Sequence, residues 1–585
     1  MHNSFRVSMT WVHTWFGLVL GYVLMACFFF GALSVFDREI DRWSIPKTRF
    51  EPQPMPSFDN LLMDVYKKME PHPIDMAATA ERVIGDLPDP KTMPMASFYA
   101  YTTHRDPVLQ IGGEFSIPNK PKDKSDDHMH VHGWATIDPR TGEAIPDDAL
   151  KIGSRWFYPM HYSLNFHWAN LGYWIVGLAA LMMLAALVTG VIMHRRIFKE
   201  FFTFRREKRI QRSTLDLHNM SGVVALPFHF FFALTGLIIF AGIYLPVSHT
   251  VLKPLHDQHE ILDAERTGLP HEAAGVHAPI ASVDAMVAEA KRRWAARDMA
   301  GEVGYVFADH LNDENGYVSI YRAGSDRVAL VGEAIHFKAS TGEVLREEPP
   351  QAAVFEINEF LTGLHLQHFE HWMLRWLYVI GGLLGCICIA TGFIFFVEKR
   401  KQQHAKLNSQ GARLVDALAV TTVTGMVIAS IAMLVGNRLL PADLVGKGQW
   451  EMNIFWWSWL ATLIHAGWRS APVAKAMSNP AWREQCWVIA LLAVAAVILN
   501  WVTTGDNLIK TIFTDTYWAV AGVDLSLLAT AVIAIWSARK LKQHADAPVE
   551  VNPRRAVREQ ALTREQVLAR EQLASAELAV ETKNG

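Results

Sequence analysis

The sequence is short of cysteine and of net charge. Only 4 cysteines occur in 585 residues, and Cys27, Cys386, Cys388 and Cys486 all stand in or beside apolar runs, which predicts packing residues rather than a disulfide framework or a thiolate metal site. No Cys-x-x-Cys-His occurs, which argues against a covalently attached c-type haem. A Gly-rich dinucleotide fingerprint is also missing, so any redox chemistry must draw electrons from elsewhere. A formal net charge of -3 gives no reason to expect a nucleic-acid partner. The first apolar run has no small-residue cleavage site behind it, so it reads as a retained helix and not as a signal peptide.

What the sequence has instead is apolar residues, 51% of the total, bunched into runs. Eight runs approach the roughly twenty residues needed to cross a bilayer: Trp11 to Phe36, Leu171 to Met193, Gly222 to Pro246, Met373 to Val397, Leu414 to Leu434, Met452 to Trp468, Cys486 to Val502 and Trp518 to Trp536. Tryptophans such as Trp168, Trp372, Trp457 and Trp536 sit at their ends, at the depth of the lipid headgroups. Lipids are thus the main surroundings of the chain. Basic residues from Arg195 to Arg212 and from Lys399 to Lys406 put those connections in the cytoplasm, with both termini.

Two longer connections fall on the other side, each large enough for a small folded domain. Each contains a strand, a tight turn and a strand, around Thr141-Gly142-Glu143 in one and Thr341-Gly342-Glu343 in the other. The expected architecture is an all-α polytopic membrane bundle of about eight transmembrane helices carrying two small α+β domains. Its segments are helix one at 1–36, a first extracytoplasmic domain at 37–160, helices two and three at 161–246, a second domain at 247–364, helix four at 365–401, four further helices at 402–540 and a charged tail at 541–585.

The first four helices read as a tandem duplication. His13 precedes Gly17 by four residues and Gly31 by eighteen; His218 precedes Gly222 and Gly236 by the same steps, so each histidine and its glycines share one helix face. The second helices also correspond, through His161, His167 and Trp168 against His365, His371 and Trp372, and through Thr189-Gly190 against Thr391-Gly392. A parallel repeat implies a pseudo-two-fold axis along the membrane normal.

These histidines sort by depth. His13, His194 and His218 fall at the cytoplasmic helix ends; His161, His167, His365, His368 and His371 fall at the opposite ends. Two layers of imidazole drawn from different helices suit two stacked b-type haems, each iron taking one ligand from either side. The lower partner of His13 is His218 or His194. His229, about 16 Å along the helix from His218, has no histidine at its own depth; it supports a cofactor, relays a proton or bonds a backbone carbonyl. His465, in the added helices, reads as structural or interfacial.

In this ordered set the chain resembles the PepSY-associated transmembrane-helix family. The resemblance rests on the His-x-x-x-Gly openings, on Met160-His161 and Leu364-His365, on the Thr-Gly helix ends and on the two Thr-Gly-Glu hairpins, and it covers about Met1 to Lys401. It implies a bacterial inner-membrane protein linked to iron uptake, with PepSY-like domains in the periplasm and haem-dependent reduction of a ferric siderophore or other ferric chelate. It also implies His13, His161, His218 and His365 as axial ligands. Helix geometry offers another upper pair, His167 and His371, because a straight helix from His161 to His194 would rise about 50 Å against a core of roughly 30 Å. The expected activity is that of a ferrisiderophore reductase fed by an unidentified cytoplasmic or quinol donor. A non-redox protein that binds peptides or restrains a protease, and a transporter, are the alternatives.

Overall fold

The computed structural model describes residues 3–102, 106–122, 130–145, 150–193, 210–245, 268–270, 272–324, 326–330, 334–347, 353–407, 410–470 and 479–546. His194, the basic run that follows it to Arg209 and the tail beyond Asp546 lie outside the described residues.

The apolar runs form helices, joined by shorter or more polar ones: α1 (Asn3–Val19), α2 (Gly21–Ser34), α3 (Asp37–Ser44), α4 (Tyr158–Tyr162), α5 (Leu171–Met193), α6 (Ile210–Val224), α7 (Leu226–Ile239), α8 (Val283–Ala295), α9 (Ala353–Leu366), α10 (Trp372–Leu407), α11 (Gln410–Val420), α12 (Met426–Leu439), α13 (Lys447–Arg469), α14 (Ala481–Thr504) and α15 (Trp518–Asp546). Five helices among the described residues are long and apolar enough to cross a membrane, and seven spans result if each of two bent pairs counts as one. The run expected at Met452 to Trp468 is helical within α13, but Lys447 and Glu451 make that helix less apolar and it is not among the seven.

The bent pairs are equivalent by the duplication. α1 and α2 meet at 59°, α6 and α7 at 63°, with the breaks at Leu20 and Ala225. Pro227 accounts for the second bend, since proline lacks the N–H that the preceding turn requires. At the first, Gly21 lets the Phe393 ring press on the backbone, where a Cβ would lie 3.0 Å from that ring. The bend changes helix neighbours. α1 packs on α5 and α6 on α10, whereas α2 packs on α10 and α7 on α5, so each bent helix crosses from its own repeat to the other.

The second helix of each repeat is broken rather than straight. After α4, Leu164, Asn165, Ala169 and Asn170 take positive φ, and Gly172 N donates back to Phe166 O at 3.1 Å. The counterpart break lies at Gln367, between α9 and α10, with φ 58. A broken helix gains no steady 1.5 Å per residue, so the straight-helix rise reckoned from His161 does not apply across this segment. His161 turns back beside α2, and His167 and His371 are left exposed on the connections.

The two long connections do not make separate sheets. Strands β1 (Met95–Tyr101), β2 (Leu109–Ser116), β3 (His130–Ile137) and β4 (Ala144–Ile145) from the first, and β5 (Val303–Asp309), β6 (Tyr317–Arg322), β7 (Ala334–Lys338) and β8 (Val344–Glu347) from the second, join in one 8-stranded sheet of order β8-β7-β6-β5-β1-β2-β3-β4. The order is a palindrome about the seam between β5 and β1, where Tyr99 faces Phe307 and Ala100 faces Val306 in antiparallel register. Both expected hairpins are present with matching turns: Gly142 (φ 75) and Gly342 (φ 73) donate to Asp138 O and Lys338 O, each at 2.8 Å. Only glycine takes this left-handed conformation without cost.

One core serves both halves. Phe98, Ala100, Ile111, Val306, Ile320 and Phe337 point to one face and pack with Phe58, Met286 and Trp294. The helix starts are cross-linked as well. Ser57 and Ser282 each cap their own helix, while Asp284 accepts from Ser57 Oγ at 2.5 Å and from Phe58 N at 2.8 Å, and Asp59 accepts from Ser282 Oγ at 2.5 Å and from Val283 N at 3.0 Å. Each carboxylate therefore serves the opposite repeat, the charge-assisted form of a cap.

Helices α12 to α15 share a core with α2 that includes Met25, Phe30, Met426, Phe455 and Ala493. Polar anchors tie them to the segment after α2: Trp43 Nε1 donates to Asp524 at 2.7 Å, Asn500 Nδ2 donates to the same carboxylate at 3.1 Å, and Arg49 reaches Asn500 at 2.7 Å and Asp506 at 2.6 Å. His465 is engaged with Glu484, 3.0 Å away, and Arg469 pairs with the same carboxylate.

The seam is open to a direct test. Opposed residues on one face of an antiparallel pair lie about 5 Å apart at Cβ, within reach of a disulfide. Oxidation of a Tyr99→Cys/Phe307→Cys double variant is expected to give a faster-migrating, thiol-reversible band in more than half of the protein. Single variants should give none, and no closure in the double variant would mean that the halves are separate.

Candidate functional site

Four of the motif histidines meet in two pairs. The rings of His13 and His218 have centres 6.2 Å apart, and those of His161 and His365 are also 6.2 Å apart. The first pair joins α1 to α6 and the second joins α4 to α9, so each pair takes one ring from each repeat. Two imidazoles on opposite sides of one metal, each bonded at about 2 Å, have ring centres about 6 Å apart. Both pairs have that separation.

Each ring is held from behind. His13 Nδ1 lies 2.9 Å from Ala186 O, His161 Nδ1 2.7 Å from Cys27 O and His218 Nδ1 2.7 Å from Cys388 O. A carbonyl can only accept, so these Nδ1 atoms carry the hydrogen and the Nε2 lone pair is left for a ligand bond, the usual arrangement of a metal-bound imidazole. His365 reaches the same state through Thr235, whose Oγ lies 2.7 Å from Nδ1 and donates its own hydrogen to Phe231 O at 2.8 Å.

The glycines of the sequence motifs lie under these rings. A Cβ at Gly31 would fall 2.8 Å from His161 Nδ1, at Gly190 3.3 Å from His13, at Gly236 3.3 Å from His365 and at Gly392 3.4 Å from His218. The second glycine of each His-x-x-x-Gly helix thus belongs to the upper pair, and the Thr-Gly glycines belong to the lower pair. Gly17 has open space where a Cβ would stand, so the first glycine of the motif touches no histidine.

The other histidines separate from this set. His167 and His371 are exposed, and His371 Nδ1 accepts from Leu374 N at the start of α10, 3.3 Å away. His229 is 2% exposed between the two layers, its Nε2 3.4 Å from Gly381 O and its ring 4.9 Å from Phe28. The backbone-carbonyl reading fits this contact. Among the described residues no group of three or more His, Cys, Asp or Glu converges as a metal cluster. Cys27, Cys386 and Cys486 are buried, while Cys388 is half-buried with its Sγ 3.5 Å from His218 Nδ1.

The upper pair opens into a cavity of ≈ 520 Å³, within the usual range for small-molecule and cofactor sites. Its inner wall includes Gly31, Gly177, Ala180 and Gly236; its outer wall is made by Arg38, Tyr101, Tyr305, Tyr321 and Arg322 from α3 and the sheet. Burial, with Tyr321 and Tyr99 beside it, pushes the Tyr305 phenol up to about 12, so it stays a neutral donor. These outer residues are absent from the sequence-based set. Alternate positions in β5 and β6 carry the tyrosines, but nothing in either strand alone says which face turns toward the helices.

Paired histidines from a duplicated four-helix unit, roofed by a shared sheet, define a multi-pass membrane protein with a cavity between its repeats. The chain matches the PepSY-associated TM region over residues 10–399 and belongs to that family. It is 24% identical over 353 residues to the uncharacterized protein PA4219 of Pseudomonas aeruginosa, an alignment covering 57% of this chain and 84% of that relative.

The spacing beneath the rings yields a graded expectation. Gly31→Ala would place a methyl group inside contact distance of His161, whereas Gly392→Ala meets His218 only at the edge of ordinary contact. A ligand held by the upper pair should be lost at least tenfold in Gly31→Ala and largely kept in Gly392→Ala, as read by its absorbance per protein. Equal retention in both variants would contradict the assignment of Gly31 to the upper site.

Proposed function

We propose that this protein is a haem-carrying oxidoreductase of the bacterial inner membrane that moves electrons outward and reduces a ferric chelate. One observation carries the reading: two histidine pairs, each with ring centres 6.2 Å apart, have every Nδ1 engaged. His13 and His218 would hold the lower haem, His161 and His365 the upper. Bound there, b-type haem supplies reversible one-electron chemistry at a potential set by its ligands and surroundings.

The chain supplies the rest. Backbone carbonyls and Thr235 fix the imidazoles with Nε2 free, and the glycines admit a flat group against the helices. Along α6 and α7 the layers are at most about 27 Å apart, with His229 and Phe28 between them.

In this reading the sheet is two PepSY-like domains joined at their edges in the periplasm, both termini are cytoplasmic, and α13 is an eighth span that packing by its neighbours makes tolerable. The substrate iron is held by hard oxygen donors. Adding one electron to the ferric ion gives the softer ferrous ion, which such ligands bind less well, so reduction releases the metal. Electrons come from a cytoplasmic reductase or a membrane quinol.

Dithionite-reduced minus oxidised spectra of the purified protein are expected to show b-type bands. His13→Ala and His365→Ala should each remove about half of that signal, and the double variant nearly all of it. A colourless, correctly folded protein would sink the proposal and leave a non-redox or transport role.

A further inference from the structure

The duplication makes the His161–His365 pair even-handed, with one ring from each repeat, but the cavity around the pair is lopsided. Val176, Ala180, Met183 and Leu237 make one side of it apolar. Toward the sheet stand Arg38, Tyr101 and Tyr158. Where the first repeat has Arg38 and Tyr158, the second has Ile243 and Thr362. The second repeat adds Gln367 and His368 to the wall, and neither is a fixed cation.

Arg38 follows Gly31, the glycine under the His161 ring, by seven residues, about two helical turns. Its side chain is 19% exposed. Nη1 donates to Asp106 at 2.9 Å and Nε lies 3.5 Å from Asp37, so two sides of the guanidinium are held. Nη2 has no acceptor among the described residues. The surrounding charges, Asp37, Asp41 and Asp106 against Arg38, Lys151 and Arg155, are equal in number and leave no net repulsion toward an anion. Tyr158 belongs to the same electrostatic neighbourhood and precedes His161 by three residues on one face of α4.

We propose that Arg38, with the Tyr158 phenol beside it, receives the propionate edge of a porphyrin held between His161 and His365, and that the methyl and vinyl edge lies against Val176, Ala180, Met183 and Leu237. The inference rests on the haem-carrying reading of the pair. Guanidinium binds carboxylate through directed, charge-assisted hydrogen bonds. A carboxylate turned to the apolar side would lose its hydration without compensation, whereas a hydrocarbon edge gains by burial there. A cavity that is cationic at one end only therefore admits one orientation of a group that is acidic at one end only. Arg38 sets which edge faces the sheet.

Capping the propionates isolates this contact from the rest of the site. The full chain carrying His13→Ala, which leaves only the upper pair intact, is prepared without porphyrin in detergent. It is loaded with protohaem or with protohaem dimethyl ester, and release to excess apomyoglobin is followed by absorbance. Protohaem is expected to leave at least tenfold more slowly than the ester. Arg38→Gln should erase that difference by speeding the release of protohaem alone, while Arg38→Lys, which keeps a cation, retains part of it. An arginine that served only the fold would speed both porphyrins equally. If Arg38→Gln does not fold, Arg38→Lys and Tyr158→Phe decide, each narrowing the difference severalfold.

Equal release of the two porphyrins from the His13→Ala chain, or a difference that survives in the variants that fold, overturns the orientation while the haem site stands. Porphyrin binding by the unmutated protein but not by the His13→Ala chain means that the upper pair holds none, and also overturns it. Binding of neither porphyrin by the unmutated protein overturns the haem-carrying reading, and this inference with it, so the failures look different.

Discussion

The structure depends on a small contact made four times: an imidazole pressed against a glycine of the neighbouring helix and tied at Nδ1 to an acceptor on that side. An unanchored histidine inside a membrane protein would be a poor ligand, free to rotate and to take either tautomer. The acceptor fixes both, and the missing side chain brings the ring close enough to reach it. Gly31 and Gly190 are therefore not merely sites of helix contact, as small residues often are between membrane helices. They set how far each ring stands from its partner, and so the 6.2 Å separation.

That contact explains the bends. The lower histidine of each repeat needs a neighbour carrying Thr-Gly, and the upper histidine needs the glycine eighteen residues along the bent helix. A straight helix would stay on one neighbour. The breaks at Leu20 and Ala225 let α1 lean on α5 while α2 leans on α10, with the mirrored exchange in the other repeat, so the repeats are interleaved. The reciprocal Ser57–Asp284 and Ser282–Asp59 caps do the same in the sheet. Each half would keep its serine cap but lose the carboxylate that the other half supplies if the two separated.

Much of this is legible because the duplication writes each histidine position twice. His13 or His218 alone is ambiguous; their shared spacing to Gly31 and Gly236 marks them as equivalent positions, with His194 still open as the partner of His13. The Thr-Gly-Glu turns were visible for the same reason, since a left-handed glycine in a short hairpin has few substitutes. What was misread came from geometry that sequence spacing does not carry. Spacing alone reckons the helix from His161 as straight, yet four residues from Leu164 to Asn170 adopt positive φ. The sequence predicts two α+β domains and is silent on how their strands join, because edge pairing depends on main-chain groups, which have no residue code. Ser57-x-Asp59 and Ser282-x-Asp284 are a repeated signal in the sequence, each a cap for its own helix followed by an acid for the other.

The orientation of the repeat also explains how the two layers come to differ. A parallel duplication places its axis along the membrane normal, so the axis passes between the rings of each pair and relates His13 to His218 and His161 to His365. It relates nothing in the lower layer to anything in the upper. Substitutions can therefore make the layers unlike each other without unbalancing either pair: Thr235 replaces a carbonyl only in the upper layer, Cys388 stands beside a ring only in the lower, and only the upper layer opens to the tyrosines of the seam. An inverted repeat would tie the two layers together, each change at one end answered by its symmetry mate at the other. For a path along which electrons are to move one way, inequivalent ends are the physical requirement, and the parallel arrangement leaves them free to diverge.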